Sequence, residues 1–417
     1  MDAYDVLIVG AGPAGSTAAY ELARRGHRVL VAEEHPRIGR PVQCAGLVSD
    51  RVLELAGSDR MVLTRIHGAS VFGPSLGSVS FRAPDTRGYV IDRAGLDVHL
   101  ADRASTAGAE YRTAVRFDGF IDGGPGPRLA RLTPAGGEPF QVSARLVIGA
   151  DGVSSAVARA ARLRRKVEIL PAFEAEFPRS PGDPDLVEVY LGNEFAPGLF
   201  GWWIPDGGGG ARIGLATRPD GLSAQQRFEL LLRRLEVRFG VRLPPPVAYV
   251  VSGIPIGTLP RLTADRVILV GDAAAQVKPL SGGGIFTGMR AATAAAEVAD
   301  AGLKEDRLDA GRLREYEDRV DGVLGEEFRR AHYLRRVFTR LSDADFDRLL
   351  EALKSAGMTE SIVAFGDIDF PSHVARKLLV QSPSLLRLFP KALGAWLSSG
   401  AELAPDLEEG PRPRSAT

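Results

Sequence analysis

The chain has 417 residues, 45% hydrophobic and 25% charged, an ordinary globular composition long enough for two or three domains' worth of core. Lysine plus arginine and aspartate plus glutamate number 52 each, so no basic surplus points to nucleic acid as a partner. The single cysteine, Cys44, excludes an internal disulfide and any cysteine-ligated zinc or iron–sulfur centre within the chain, and fits a reducing cytoplasm.

The opening MDAYDVLIVG enters a strand at once, so no signal peptide is expected. No run of about 18 apolar residues is present to span a bilayer. YDVLIV (4–9) is an apolar, β-branched run that predicts a buried parallel strand. GAGPAG turns it into a helix over roughly 14–25 that Gly26 ends, and RVLVAE (28–33) is the second strand. Residues 94–107 read as a helix, and ARLVIGADG (144–152) as another buried strand with a turn. From about 166 to 255 the period changes. LVEVYL (186–191), FGWWIP (200–205) and ARIGLA (211–216) are short alternating segments between Gly and Pro breaks, which predicts a mostly antiparallel sheet. RVILVGDAA (266–274) returns to the buried parallel style, and an Ala-rich helix follows near 285–302. Residues 306–398 read as largely helical, and EEGPRPRSAT (408–417) as a disordered tail.

Gly10, Gly12 and Gly15 form GxGxxG directly between a strand and a helix. The first glycine permits the tight turn, the second lets backbone approach a pyrophosphate, and the third lets helix and strand pack closely. The diphosphate would sit on the helix N-terminus, beside Ala14. Glu33 ends the second strand, where a carboxylate would bond the adenosine ribose hydroxyls.

The fingerprint alone does not separate NAD from FAD; more distant segments do. With Asp151-Gly152 after a late strand and Gly271-Asp272 after the last parallel strand, the chain resembles the glutathione-reductase-like group of FAD-dependent oxidoreductases. The resemblance implies that Asp272 binds a flavin ribityl hydroxyl and that Arg93 in IDRAGLD touches the flavin side. In KPLSGGGIFTGM (278–289), Gly282, Gly283 and Gly284 bare backbone N–H groups ahead of Ile285 at the start of a helix. Such a helix end, aimed at the flavin pyrimidine, would stabilise negative charge on the reduced ring. The predicted fold class is therefore α/β with α+β. A discontinuous Rossmann-type FAD-binding domain spans 1–165 and 256–303, and a substrate-binding sheet spans 166–255, joined by part of 60–92. A helical region covers 304–407, and the tail 408–417.

Closer still, GRPVQCAGLVS (39–49) and GDAAAQVKPLSGGGIFTGM resemble segments of the geranylgeranyl reductase family, and FGWWIP followed by Gly214 is similar to its substrate motif YxWxFP…GxG. Trp202, Pro205 and Gly214 match; Phe200 stands for the Tyr, Ile204 for the second Phe and Ala216 for the last Gly. The resemblance spans roughly 1–303. It implies an FAD-dependent reductase that saturates isolated double bonds of isoprenoid chains in a lipid, quinone or related molecule, hydride going to one alkene carbon and a proton to the other. An unactivated alkene has no carbonyl to polarise, so the enzyme must hold it in near-attack geometry and exclude water. An apolar row suits that task, and alternation lets only one row of the 200–205 strand line a pocket, Trp202 and Trp203 pointing to opposite faces. By the motif match, the resemblance implies that this row is Phe200, Trp202 and Ile204. The resemblance also sets Cys44 and Ala45 beside the flavin, with Cys44 a catalytic candidate; pocket shaping and proton positioning both stay open for it.

Two rival readings follow from the same residues. FxWxIP is close to the WxWxIP of flavin-dependent halogenases, relatives of class A monooxygenases, but those halogenases need a lysine after the first glycine motif and residues 1–165 contain none. An electron-relay flavoprotein of the quinone-oxidoreductase kind needs cysteines for its cluster. The six histidines form no triad or metal spacing, so no metal is expected. No second GxGxxG is evident, which leaves NAD(P)H or a ferredoxin-like carrier as electron donor. Isoprenoid lipids would draw a cytoplasmic enzyme to the inner face of the cell membrane. Segments around 328–340 and 374–398 are candidates for that contact, or helices that only cap the substrate sheet.

Overall fold

The first strand, Asp2–Val9, carries apolar residues without alternation because both its faces are covered. It lies between Val29–Ala32 and Phe140–Gly149, parallel to both. These strands belong to an eight-stranded sheet that continues through Val267–Leu269 on one side and Glu110–Arg112 on the other. The structure, a computed structural model, describes residues 2–121, 126–163, 166–355 and 359–372. The segment 374–398 and the tail 408–417 lie outside those residues.

Helices Pro13–Ala23 and Ile285–Lys304 share one face of this sheet, and small residues let them approach it and each other. Ala18 and Ala19 of the first share a core with Ala291, Ala292, Ala295 and Ala299 of the second. This alanine stripe is why the helix Ile285–Lys304 packs on the one that follows the first strand.

A second sheet has seven strands, in the order 248–258, 166–177, 211–216, 201–205, 186–190, 68–72, 78–82. All pairs are antiparallel except Leu186–Tyr190 with Gly68–Phe72, which run parallel. One face is covered by the helix Ala224–Phe239, which the alternation-based reading of 166–255 did not single out. Its Phe228, Leu231 and Leu235 pack on Trp203, Ile213 and Leu215. A reciprocal capping box of Ser223 and Gln226 starts it, and Gly240 in left-handed conformation ends it. The opposite face of the sheet looks toward the first domain.

The described C-terminal helices brace both sheets. Val337 and Phe338 of the helix Glu326–Phe338 pack with Leu191, Leu341 and Phe346. Arg335 of the same helix is buried and donates to the Gly198 carbonyl at 2.7 Å. Segment 328–340 thus turns these apolar side chains inward, against the second sheet.

Candidate active site

Between the two sheets lies a cavity of about 830 Å³ that runs from the first glycine turn to the inner face of the second sheet. Its first end is made by backbone. Gly10 takes φ +100, and a Cβ there would meet the Ala150 carbonyl at 2.4 Å. A Cβ on Gly15 would meet the Gly10 carbonyl at 2.0 Å, so only glycine allows this helix to start so close to the strand. A Cβ on Gly12 would meet nothing within 4 Å. The helix therefore opens onto free space, with Pro13 in its first turn and no acidic residue there. Its unbonded N–H groups and dipole favour an anion at that point. Glu33 closes the turn: Oε2 accepts from the Ala11 N–H at 2.8 Å, and Oε1 from the His35 N–H at 2.9 Å.

The Gly271-Asp272 turn is fixed from beneath. Gly271 N–H donates to Gln276 Oε1 at 2.7 Å, Gln276 Nε2 to the Tyr316 hydroxyl at 2.7 Å, and that hydroxyl to the Leu269 carbonyl at 2.9 Å. The sequence reading missed Gln276 and Tyr316, which are remote in the chain and meet only in the fold. A second uncapped helix N-terminus, at Gly284–Ile285, faces the cavity. Lys278 beneath its glycine loop forms a buried ion pair with Asp369 at 2.9 Å, drawing segment 367–371 over the cavity.

Arg93 lines the cavity, and its Nη1 is held by Asp97 at 2.6 Å. Its Nε is buried without a partner. Burial raises the Asp97 carboxyl to about 6 against the pull of the Arg93 charge. Cys44 is half-buried on the cavity wall, and its sulfur accepts from the Gly46 N–H at 3.4 Å. Burial pushes its thiol up, opposed by Arg93, so the sulfur is a neutral thiol rather than an activated nucleophile.

The far wall is the inner face of the second sheet. Phe200, Trp202 and Ile204 all line it, while Trp203 is fully buried on the other face. Trp202 pairs with Gly214, which pairs in turn with Glu174. The indole lies across Gly214, where a Cβ would fall 2.6 Å from the ring. That lets Trp202 Nε1 donate to Glu174 Oε2 at 2.6 Å. Arg212, two residues before Gly214, ties the sheet to the first domain through the Ala45 carbonyl at 2.7 Å and the Ile91 carbonyl at 3.1 Å.

Of the expected site residues, the cavity gathers Gly12, Ala14, Cys44, Ala45, Arg93, Gly152, Phe200, Trp202, Ile204, Gly271, Asp272, Gly283, Gly284 and Ile285. Gly10, Gly15, Glu33, Asp151, Pro205 and Gly214 stand behind that surface. Asp151 turns to the short helix 156–160, accepting from Ser155 Oγ at 2.6 Å and the Val157 N–H at 3.0 Å. Glu174, Arg212 and Lys278 were not singled out. Among the described residues, no cluster of His, Cys, Asp and Glu could hold a metal ion.

Two uncapped helix ends, an open glycine cradle and an unpartnered guanidinium nitrogen suit a long dinucleotide with an anionic middle and an electron-accepting ring. Residues 3–171 match the FAD binding domain family. The fold and site define an FAD-dependent oxidoreductase. The chain is 34% identical to digeranylgeranylglycerophospholipid reductase 2 of Methanothermobacter thermautotrophicus over 92% of its own length and 98% of that protein's. It is 33% identical to the corresponding reductase of Methanocaldococcus jannaschii, over 94% of its own length and 99% of that protein's. It superposes on a geranylgeranyl bacteriochlorophyll reductase-like protein from Thermoplasma acidophilum with a TM-score of 0.82 at 26% identity, covering 94% of this chain and 100% of the other. The chain belongs to the geranylgeranyl reductase family of FAD-dependent oxidoreductases. A flavin-dependent brominase, Bmp2, shares the fold at a TM-score of 0.69 and 16% identity, over 92% of this chain and 99% of the other.

Proposed function

We propose that this reductase saturates isolated double bonds of a geranylgeranyl-type isoprenoid chain carried by a lipid, quinone or related molecule. The observation that carries the reading is the cavity itself: apolar on the substrate side, floored by Phe200, Trp202 and Ile204, and continuous with the flavin cradle. A flexible polyene has few polar handles, so shape and burial must hold it. When bound, FAD supplies the two electrons and one of the two hydrogens that saturation requires. The residues that would hold it are Gly12 and Ala14 at the first helix end, Asp272, Gly283 to Ile285 at the second helix end, Cys44, Ala45 and Arg93. The roles inferred for Gly10, Gly15, Glu33, Asp151 and Gly152 are to shape that cradle. The Lys278–Asp369 pair holds segment 367–371 against the cavity and helps exclude water from it. Cys44 would serve as a small neutral wall beside the reacting carbons. A donor such as NAD(P)H or a ferredoxin-like carrier would reduce the flavin directly, as the sequence holds no second dinucleotide fingerprint.

The test is mass spectrometry of lipids and quinones from cells with and without the protein. Isoprenoid species heavier by two hydrogens per double bond in the expressing cells are the expected result. Products heavier by one oxygen would overturn it in favour of a monooxygenase.

Contact with a membrane surface belongs to the same proposal. No helix among the described residues is long and apolar enough to cross a bilayer. The strand Ala248–Thr258 is an edge of the second sheet, and its Val250, Ser252 and Ile254 line the cavity. On its other face Tyr249 and Val251 are 62% and 67% exposed, and Val247, just ahead of the strand, is 68% exposed. An exposed apolar row backing the wall of a lipid-sized cavity is a better candidate for membrane contact than the inward-packed segment 328–340.

A further inference from the structure

The cavity contains a carboxyl group that cofactor binding and apolar packing leave unused. Glu174 is 3% exposed and lines the cavity on the face that carries Trp202. Oε2 accepts the indole N–H, while Oε1 is buried with no hydrogen-bond partner. A bare carboxylate oxygen in an apolar chamber is costly, whereas a carboxylic acid there is not. The groups facing it are few. Arg212 on the neighbouring strand and the Trp202 N–H favour its charged form, and Glu176 on its own strand opposes it. Cys44, across the cavity, feels both Glu174 and Arg93. Burial outweighs the rest and brings the Glu174 acid up to about 7, the range in which a group both holds a proton and gives it up. Cys44 is the weaker candidate, since burial raises a thiol whose ordinary value is already 9.0.

We propose that Glu174 is the general acid of the reduction, giving its proton to the alkene carbon opposite the one that accepts hydride. The proposal rests on the reductase reading. Its O–H bond breaks as a C–H bond forms. In that reading the hydride of the reduction completes the other carbon, the π bond is consumed, and Glu174 is left as a carboxylate that solvent reprotonates. The indole N–H of Trp202 stays on Oε2 and steadies that carboxylate, so Trp202 is a positioning residue for the acid as well as part of the apolar floor. Gly214 is what lets the two meet across the strand between them.

The experiment uses the FAD-loaded enzyme, reduced anaerobically and mixed with a geranylgeranyl-bearing lipid, with flavin reoxidation followed in a single turnover. Wild-type rate is expected to fall as pH rises through about 7, while Glu174→Gln is slower by about 100-fold or more and loses that pH dependence. A second readout needs no substrate: of the infrared bands of protonated carboxyls, the one that titrates near the same pH in the wild type should be lost in Glu174→Gln, while the Asp97 band, titrating near 6, remains. Trp202→Phe removes the N–H that favours the carboxylate, so its pH fall should move upward. This arm stands even if Glu174→Gln fails to fold. A Glu174→Gln enzyme as fast as wild type, or a Trp202→Phe profile that does not move, overturns the assignment. Wild-type flavin that the lipid never reoxidises overturns the reductase reading instead, and with it the destination of the proton. The infrared titration then still reports whether Glu174 carries one.

Discussion

At the scale of single residues, a buried acid leaves a mark on stability that is independent of catalysis. Glu174 ordinarily titrates at 4.5 and is raised to about 7 in the fold. Between these values the folded protein keeps a proton that the unfolded chain has released. Stability from this group is therefore intact below about 4.5, falls as pH rises toward about 7, and stays reduced above it. Glu174→Gln removes the ionisation. The stability of the variant relative to wild type should improve across that window by on the order of 3 kcal/mol. Denaturant unfolding of both proteins on either side of the window measures it, and a constant difference would show that the carboxyl is not perturbed. The glycines of the first turn were legible in the sequence, because their reasons are local: a positive φ, a close carbonyl and an open approach. Gln276 and Tyr316 were not, because the hydrogen bond that joins them spans 40 residues and forms only where the packed core brings them together.

At the scale of elements, the proposed acid sits in a row across three strands of the second sheet: Trp202, Gly214 and Glu174. Strand alternation alone placed Trp202 and Trp203 on opposite faces, and Trp203 is indeed buried under the helix Ala224–Phe239. The row depends on a missing side chain at its centre. Gly214→Ala would set a Cβ 2.6 Å from the indole and 2.8 Å from the Phe173 carbonyl, and the carbonyl cannot yield. We expect a loss of about 1–3 kcal/mol from overpacking, read as a lower melting temperature. A displaced Trp202 would also change its fluorescence. Unchanged stability and emission would mean that the ring does not lie where the row requires. The helix Ala224–Phe239 escaped the sequence reading because it interrupts a run of strands. Phe228, Leu231 and Leu235 carry its helical spacing, but the Gly- and Pro-rich breaks around it support the strand reading of the whole region.

At the scale of the whole molecule, two sheets enclose a chamber, and the edge strand Ala248–Thr258 separates that chamber from an exposed apolar row. If this edge meets lipid, the protein should co-sediment with phospholipid vesicles, and replacing both Tyr249 and Val251 with Ser should weaken binding while leaving flavin content intact. Binding that the double substitution does not reduce would place the contact elsewhere. The C-terminal helices have a different task among the described residues. Tyr316 supports the Gly271-Asp272 turn, and Arg335 ties one helix to the Gly198 carbonyl beside the second sheet.

The sequence by itself determined the cofactor and the family. The GxGxxG turn marks a dinucleotide site through backbone constraints met within a few residues, and the Gly271-Asp272 and 282–284 glycine segments make that dinucleotide FAD. Period-two alternation, a property of the strand alone, also set Phe200, Trp202 and Ile204 on one face of the 200–205 strand and Trp203 on the other. Only the tertiary structure decided what Glu174 is. In FEAEF (173–177) nothing marks Glu174 off from Glu176, since alternation sets both on one polar face of the strand. That changes for Glu174 when the polar face of the strand is found to close a chamber, because burial and an unpaired oxygen then favour the acid over its anion. Alternation reports which side chains share a face; what lies opposite that face is set by packing between elements far apart in the chain.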